Sequence, residues 1–507
     1  MVRSYTRRKK RGGAAPKLVG QGTYGCGFMP SLSCSYNTAE RQNTFSKLMI
    51  NNTNSKNSRN SSVINEIDKI YKLRRIDPTF KYSLYPAIDE DISGNPNTFK
   101  VRNTTFKKCR PRQNNMNRYQ QEISKCFLVN QPINSTQYVL LQSKYGGDSL
   151  SDYINKLKTE FNMSKIIDLL LSIEILFEGL IEFHKNNFYH MDIKLPNIVV
   201  NKDSSYTHTR FIDFGISIDL KDKNDTVYTS TYNQPYFAWP FELYFHNIDI
   251  NSIPLYKITP ILNKFYEKSL EYNINNHLIS HNNYMDNSGR YIYNIKNVLP
   301  ILYNISYEKP SYYFQKTDIY SMGIILNAII YEIMGVILHY KLDKDGNKID
   351  LPAILVPKTT SFVEMDSPST SNIPNIELIR TFIAKGGFDI LLFANKLVSF
   401  NPRDRYSTIE AYTQYKQLCD KIRMNVPEII KTTPLPKNNQ SIMSKVVNTV
   451  SSFFKNPSPP PPPMPPTAWM QPSKNHVAIN VNKNKKLNHT AILVKPARLP
   501  GKRYSKP

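Results

Sequence analysis

The chain lacks acidic residues at both of its ends. No Asp or Glu occurs within residues 1–17, which hold seven Lys or Arg, and none follows Glu428, after which thirteen more occur. These twenty cations make up most of the formal net charge of +26 at pH 7. The middle of the chain is only mildly basic, so the charge belongs to two appendages. We expect them to attract polyanions, including nucleic acid, without sequence specificity, or to act as address or solubilising segments.

Cysteine is scarce, and long apolar runs are missing. The cysteines are Cys26, Cys34, Cys109, Cys126 and Cys419. They show no paired spacing that suggests a metal knuckle or a disulfide framework, so we expect a reducing compartment. No apolar stretch follows the basic N-terminus, which excludes a secretory signal. The longest apolar segment, 323–338, is broken by Asn327 and Glu332, and it predicts a buried helix and no membrane span. The chain is therefore expected to be soluble and intracellular.

Internal repeats are also missing, and the composition predicts three parts. Residues 1–16 form a basic disordered arm, and 429–507 form a basic, largely disordered tail that contains "NPSPPPPPMPPTAW". This proline run is a spacer or a ligand for a proline-binding module, and we favour the spacer. Between them, 17–428 reads as one continuous globular region, with short β-like runs early and long helical patterns later. That order predicts an α+β protein with a cleft between two lobes.

A few elements can be placed from their apolar patterns. The segment "YVLLQS" at 138–143 predicts a buried strand, and 164–187 predicts a core helix. The segments "NIVVN" and "TRFIDFG" predict two short strands around a turn. These strands flank the polar residues that carry the chemical argument.

A glycine pattern stands near the start of the globular region. In "VGQGTYGCGF", Gly20, Gly22 and Gly25 have G-x-G-x-x-G spacing. Glycine lets a backbone turn sharply and approach phosphate oxygens. A structural hairpin would show the same pattern, and a dinucleotide site would need a helix straight afterwards. The segment that follows reads as a second strand, which favours a β-hairpin flap.

The loop "FYHMDIKLPNIVV" is the stronger signal. Asp192 could accept a hydroxyl proton, and Asn197, five residues later, could bind a metal ion. A second metal-binding carboxylate is supplied by Asp213 in "IDFG". Two metal ligands and a lysine suffice for phosphoryl transfer, which depends on charge neutralisation more than on covalent chemistry.

These motifs resemble those of eukaryotic-type serine/threonine protein kinases, spread from residue 20 to residue 405. The catalytic loop of that family matches at His190, Asp192, Lys194 and Asn197, and its metal-binding triplet matches at 213–215. Three further segments resemble the family. They are "WPFE" with Glu242, "KTDIYSMGI" with Asp318 and Gly323, and "NPRDRYS" with Arg405, which should pair with Glu242.

The resemblance implies a bilobal fold, with a small β-rich lobe at about 17–142 and a larger helical lobe at about 143–428. It also implies ATP bound under the glycine loop and against the connection after Leu141. Lys47, in the strand-like "NTFSKLMI", would hold the phosphates, positioned by Glu66 in a predicted helix.

The family roles carry over to the catalytic loop in the same way. Asn197 and Asp213 would bind Mg²⁺ or Mn²⁺, and Asp192 would act as the base. Lys194 implies serine or threonine acceptors, because tyrosine-directed relatives lack a lysine there, and it would also steady the transferred phosphate. His190 is expected to brace the loop.

The chain departs from the family at three places. Met191 replaces an arginine that would grip a phosphate on the activation segment, so activity should not need that phosphorylation. Gly27 replaces a branched residue that packs on the adenine, so we expect modest nucleotide affinity. The segment at about 243–316 is long for the family and is interpreted as an insertion, either an inert one or an extra subdomain.

Asn-rich inserts and "GTYGCGFMPSLSC" are similar to protein kinases of giant DNA viruses of the mimivirus type. That resemblance implies action in the host cytoplasm or packaging in the virion. The main hypothesis is an ATP-dependent protein kinase acting on a protein substrate. Two alternatives remain open, namely a pseudokinase scaffold and a small-molecule kinase of the aminoglycoside or choline type, which shares the aspartate–asparagine loop.

Overall fold

The computed structural model describes most of the chain between residues 14 and 431. The described ranges are 14–22, 25–34, 43–51, 62–87, 98–101, 104–107, 109–129, 134–202, 206–221, 238–246, 254, 256–260, 262, 295–337, 340–342, 348–350, 354–355, 363–364 and 375–431. The chain divides into two compact units, Met1–Asn438 and Asn439–Pro507. The second unit, most of the predicted basic arm and much of the predicted insertion lie outside the described residues.

A β-rich lobe comes first in the chain. Its elements are β1 (Lys17–Gly22), β2 (Gly25–Met29), β3 (Thr44–Ile50), α1 (Ser62–Ile76), β4 (Thr98–Val101), β5 (Thr104–Lys107), α2 (Gln113–Arg118), α3 (Gln120–Ile123), a 3-10 turn (Ser135–Gln137) and β6 (Tyr138–Lys144). Strands β1, β2, β3 and β6 form an antiparallel sheet in that order, and β4 and β5 form a separate hairpin. The strand predicted at 138–143 is confirmed as β6.

The two faces of this sheet differ in what covers them. Cys26, Leu48 and Leu140 are register partners across β2, β3 and β6, and they point to one face. That face is buried against the α2–α3 region, which contributes Met116 and Ile123. Side chains alternate along a strand, so the neighbouring register set must point to the opposite face. That register set is Gly27, Lys47 and Leu141.

Two disulfides join β2 and the segment after it to residues that flank α2 and α3. Cys26 pairs with Cys126, and Cys34 pairs with Cys109. The expectation of an unpaired cysteine set was therefore wrong, and cysteine usage no longer supports a reducing compartment. The partners are 100 and 75 residues apart, so no local spacing in the sequence could indicate them. Only Cys419, buried in the second lobe, is unpaired among the described cysteines.

One side of helix α1 packs against this second face of the sheet. Val63, Ile67, Ile70 and Leu73 recur every three or four residues and are all buried. They join a core with Met49 and Val139 of β3 and β6. This spacing is that of an amphipathic helix, and it also turns Glu66 inward.

The second lobe is mainly helical. Its elements are β7 (Asp148–Ser149), α4 (Leu150–Thr159), α5 (Met163–Ser172), α6 (Glu174–Lys185), β8 (Phe188–Tyr189), a 3-10 turn (Leu195–Asn197), β9 (Ile198–Lys202), β10 (Thr207–Phe211), β11 (Ile218–Asp219), a 3-10 turn (Phe241–Phe245), α7 (Ile295–Ile305), α8 (Pro310–Met334), β12 (Val336–Ile337), β13 (Tyr340–Leu342), β14 (Lys348–Asp350), β15 (Ile354–Leu355), β16 (Val363–Glu364), α9 (Ile376–Phe382), a π-helical turn (Ile383–Gly387), α10 (Phe388–Leu397), a 3-10 turn (Pro402–Asp404) and α11 (Thr408–Lys431).

The predicted helices of this lobe form, with different boundaries. The helix expected over 164–187 is two helices, α5 and α6, which meet at Ile173. The apolar run 323–338 is helical only to Met334, because Gly335 adopts φ 70 and ends α8 in a left-handed cap. Among the described helices, none is both long and apolar enough to cross a bilayer. The two-lobed α+β architecture is confirmed.

Reduction of the two disulfides should destabilise the first lobe, because each bridge restricts a long loop of the unfolded chain. We expect removal of the Cys26–Cys126 bridge, as a double alanine variant, to lower the free energy of unfolding by about 2–4 kcal/mol. Urea unfolding with and without dithiothreitol measures this, and non-reducing peptide mapping checks the pairing. Cys419→Ala serves as the control that leaves both bridges intact. If reductant changes the free energy of unfolding equally little in the control and in the double variant, the bridges do not stabilise the protein.

Candidate active site

The predicted glycine flap is a β-hairpin. Gly20 pairs with Gly27, and Gly22 pairs with Gly25, across β1 and β2. A Cβ atom on residue 25 would lie 2.8 Å from Cγ of Lys47. A larger residue at position 25 would force Lys47 to move, because the lysine side chain runs directly under the hairpin.

Lys47 lies between two carboxylates from different parts of the fold. Its Nζ donates to both oxygens of Glu66 in α1 at 2.9 Å and to Oδ1 of Asp213 at 3.0 Å. Burial alone would lower the pKa of Lys47, but the charges of Glu66 and Asp213 outweigh it and raise that pKa. Lys47 is therefore a permanent cation that connects helix α1 to the second lobe.

Asp213 is held in a form suited to a metal ion. Burial would raise the pKa of its carboxyl, but the Lys47 ammonium holds that pKa below its ordinary value. Its backbone has φ 60, a left-handed conformation that residues other than glycine rarely adopt. The side chain is 39% exposed, so one part of the carboxylate is bonded and the rest faces the cleft.

Asp192, Lys194 and Asn197 form a second cluster. Oδ2 of Asp192 accepts a bond from Lys194 Nζ at 3.0 Å and another from Asn197 Nδ2 at 2.7 Å. Asn197 Nδ2 also donates to the backbone oxygen of Asp192 at 2.9 Å. The side-chain nitrogen Nδ2 of Asn197 thus makes both of these bonds to Asp192. As a result, Oδ1 of the same side chain points away from Asp192.

A backbone bond brings the two clusters together. The amide of Ile212 donates to the backbone oxygen of Asn197 at 2.9 Å, so Asp213 and Asn197 are adjacent in the fold. Leu141 is the register partner of Lys47 and contributes to the same face. The structure therefore joins Lys47, Glu66 and Asp213 in one set of contacts. Asp192, Lys194 and Asn197 form a second set beside it.

The described residues contain no group of three or more His, Cys, Asp or Glu side chains that could hold a metal ion on their own. Mg²⁺ does not need such a cage, because it usually binds one or two carboxylate or amide oxygens, with water and substrate phosphates completing the shell. Asp213 and the Oδ1 atom of Asn197 fit that pattern.

Asp318, buried in α8, fixes the backbone of the loop that contains Asp192. Its carboxylate accepts bonds from the amides of His190 at 2.9 Å and Met191 at 2.8 Å. His184 Nε2 donates to the same carboxylate at 3.0 Å. Met191 has φ 64, and this strained conformation persists because its amide is bonded to Asp318. Asp318 was expected from its motif, whereas nothing in the sequence indicated His184.

His190 has the geometry of a neutral brace. Its Nδ1 accepts from the amide of Asp192 at 3.3 Å, and its Nε2 donates to the carbonyl of Ile212 at 3.2 Å. Burial lowers the pKa of His190, although nearby carboxylates, Asp318 foremost, oppose this shift. The side chain therefore links the catalytic loop to the Asp213 turn without carrying charge.

The structure contains the Glu242–Arg405 pair that was expected from the sequence. Both terminal nitrogens of the Arg405 guanidinium donate to the Glu242 carboxylate, and both side chains are almost fully buried. Arg405 Nε also donates to the carbonyl of Ser399 at 2.7 Å. Lys316 donates to the backbone oxygen of Arg405. This pair anchors the 3-10 turn after "WP" to the end of the second lobe.

Two contacts around the following segment were not predicted. Lys72 of α1 lies 2.5 Å from Asp219 Oδ2, and the Asp219 side chain is only 2% exposed. Trp239 Nε1 donates to the carbonyl of Met191 at 2.6 Å. Helix α1 contains several cations, so nothing in the sequence singled out Lys72. Its partner is 147 residues away.

One part of the chain is similar to a known protein family. Residues 113–253 match the family model described as the protein kinase domain. The matched range contains Asp192, Lys194, Asn197 and Asp213, whereas the glycine hairpin, Lys47 and Glu66 precede it. No curated protein matches the chain in sequence. The match and the bilobal fold together support a protein kinase.

Loss of Arg405 should destabilise the second lobe, since it leaves Glu242 as a buried charge without its partner. We expect Arg405→Met to lower the free energy of unfolding by about 3–5 kcal/mol. Urea unfolding at neutral pH measures the change. The matched control is Lys421→Met, which breaks an exposed pair with Asp389 and should cost under about 1 kcal/mol. Equal costs for the two variants would contradict a structural role for the buried pair.

Proposed function

We propose that the protein is an ATP-dependent serine/threonine protein kinase that transfers the γ-phosphate of ATP to a protein hydroxyl. The observation that carries this proposal is the continuous set of contacts from Glu66 through Lys47 to Asp213, lying beside the Asp192–Lys194–Asn197 cluster. Phosphoryl transfer needs a fixed cation, two metal-ligating oxygens and a proton acceptor, and these residues supply each of them.

Asp192 would take the proton of the acceptor hydroxyl. As that proton moves to the carboxylate, the hydroxyl oxygen bonds to the γ-phosphorus, and the bond to the β–γ bridging oxygen breaks and leaves ADP. Bonds from Lys194 and Asn197 hold Asp192 Oδ2 in one orientation, so little rearrangement accompanies the step. Lys194, bonded to Asp192, would also stabilise negative charge on the transferred group.

Lys47, Asn197 and Asp213 would hold the nucleotide phosphates and the metal ion. Lys47 carries a fixed positive charge, and the glycine hairpin lets backbone amides approach phosphate oxygens above it. Asp213 and Asn197 would ligate Mg²⁺, with Mn²⁺ as a substitute. When bound, the ion would neutralise charge that develops on the phosphate oxygens.

We propose further that the enzyme needs no phosphate on its activation segment. Met191 is buried with Ile218 and Trp239, so an apolar cluster occupies the place where an arginine would bind a phosphate. The Asp219 carboxylate instead provides an anion for Lys72 of α1. Since Glu66 lies on the same helix, this pair would keep Glu66 directed at Lys47. Thr226, Thr229, Ser230 and Thr231, the nearby acceptors, lie outside the described residues.

Two other functions compete with this one. A pseudokinase scaffold would keep the fold without transfer, but the intact contacts of Lys47 and Asp192 favour catalysis. A small-molecule kinase would share the Asp192–Asn197 loop. The buried Glu242–Arg405 pair and the Asp318 anchor, which resemble those of protein kinases, favour a protein substrate. Assays with a peptide library and with a panel of sugars and amines would distinguish these substrates.

Replacement of the proton acceptor should abolish most of the activity while nucleotide binding persists. We expect Asp192→Ala to reduce transfer of labelled phosphate from ATP by about 100- to 10,000-fold, because acid–base catalysis contributes that much. The assay uses the full chain, Mg²⁺ and generic acidic and basic protein substrates, with Asp213→Ala as the metal-site control. Transfer that continues unchanged in both variants would refute the proposal, and phosphoamino-acid analysis tests the serine/threonine assignment.

The Lys72–Asp219 pair should matter more than phosphorylation of the segment. We expect alanine at Thr226, Thr229, Ser230 and Thr231 together to leave activity unchanged, whereas Asp219→Asn should lower it about fivefold, since a lost coupling contact costs roughly 1 kcal/mol. Phosphate transfer from ATP measures both. Lys158→Met, which breaks an equally short pair with Glu332 away from the cleft, is the control. Loss of activity in the alanine variant alone would show dependence on segment phosphorylation.

A further inference from the structure

The cleft face of the β-sheet can be assigned from strand register. Gly27, Lys47 and Leu141 are partners across β2, β3 and β6, so the Lys47 and Leu141 side chains and the Cα hydrogen of Gly27 that takes the place of a side chain share one face. Lys47 reaches Asp213 of the second lobe, which identifies this face as the one above the cleft. Phe45 precedes Lys47 by two residues and therefore points to the same face.

Phe45 and Gly27 are complementary in size. A Cβ atom on residue 27 would lie 2.7 Å from both Cε2 and Cζ of Phe45. The aromatic ring therefore lies directly against the bare backbone of Gly27, in the volume that any larger residue there would occupy. The Phe45 side chain is only partly buried, so the ring is not sealed inside the lobe.

The position of Phe45 along the cleft is also defined. It pairs with Ser143 of β6, one residue before Lys144, where β6 ends and the chain continues through Gly146 and Gly147 into the second lobe. Phe45 thus lies between the phosphate-binding cation and the connection between the lobes. A nucleotide that places its phosphates at Lys47 and extends towards this connection passes beneath the ring.

We infer that Phe45 forms the roof of the base-binding pocket and stacks on a purine base, and that Gly27 is small in order to accommodate the ring. This inference rests on the proposed function, because it takes ATP as the ligand of the cleft. Aromatic rings bind bases through their faces, a contact that tolerates different bases but requires a flat one. Gly27 stands where the family has a branched residue, and the Phe45 ring on the neighbouring strand then fills the space that this residue would occupy. That compensation removes the reason to expect weak nucleotide affinity.

The first test compares ATP with inorganic tripolyphosphate, which lacks the base. In isothermal titration calorimetry of the full chain with Mg²⁺, Phe45→Ala should weaken ATP binding about tenfold, as expected for loss of one stacked base. Binding of tripolyphosphate should not change, because Lys47 and the hairpin remain. Phe45→Leu, which keeps bulk but loses the aromatic face, should fall between the wild type and the alanine variant.

The second test exchanges the sizes of the two residues. Gly27→Val alone should weaken ATP binding, because its side chain displaces the Phe45 ring into the space of the base. The double variant Gly27→Val with Phe45→Ala should bind ATP more tightly than either single variant, since the valine refills the roof. Phe127→Ala, in the same lobe but 60% exposed, is the control and should bind ATP like the wild type.

The outcomes separate this inference from the function on which it depends. If the wild type binds neither ATP nor tripolyphosphate, the proposed function itself fails. If the wild type binds ATP and transfers phosphate but Phe45→Ala binds ATP equally well, only the assignment of Phe45 is wrong. An equal loss of ATP and tripolyphosphate binding in Phe45→Ala, or additive losses in the double variant, would likewise overturn it.

Discussion

The arrangement of the cleft depends on one charge, the ammonium of Lys47 between Glu66 and Asp213. The three residues belong to a strand, to a helix and to the turn after β10, so their contacts determine how the β-rich lobe meets the helical one. Two carboxylates around one buried cation leave a net negative charge, which a bound metal ion would balance. The residues that hold the lobes together are thus the residues that we propose to bind phosphate and metal.

Beneath this site, buried charges act as backbone supports. Asp318 has no exposed surface, yet its carboxylate is satisfied by two loop amides and by His184. A buried carboxylate with complete hydrogen bonding is tolerated where a lone one would be expelled. It maintains the left-handed backbone at Met191, and Trp239 bonds the carbonyl of the same residue. The backbone of the loop that contains Asp192 is therefore fixed by a few buried polar contacts.

The β-rich lobe uses the two faces of its sheet for different purposes. One face is closed by the α2–α3 region, which two disulfides link to β2 and to the segment after it. The other face supplies Gly25, Gly27, Phe45 and Lys47 to the cleft. The small residues on β2 are matched by large ones on β3, so the roof of the cleft is shaped by pairs of residues and not by single positions.

The sequence alone sufficed for features encoded over short distances. The Asp192–Asn197 loop, the Asp213 turn and the glycine hairpin could be predicted because their residues are neighbours whose spacing reflects local backbone geometry. Lys47 and Glu66 could be proposed from strand and helix patterns, and the Glu242–Arg405 pair from resemblance. Contacts between distant segments carry no such signal. The cysteine pairing, the Lys72–Asp219 bridge and the Phe45–Gly27 match were decided only by the tertiary structure, because each depends on which strand or helix packs beside which.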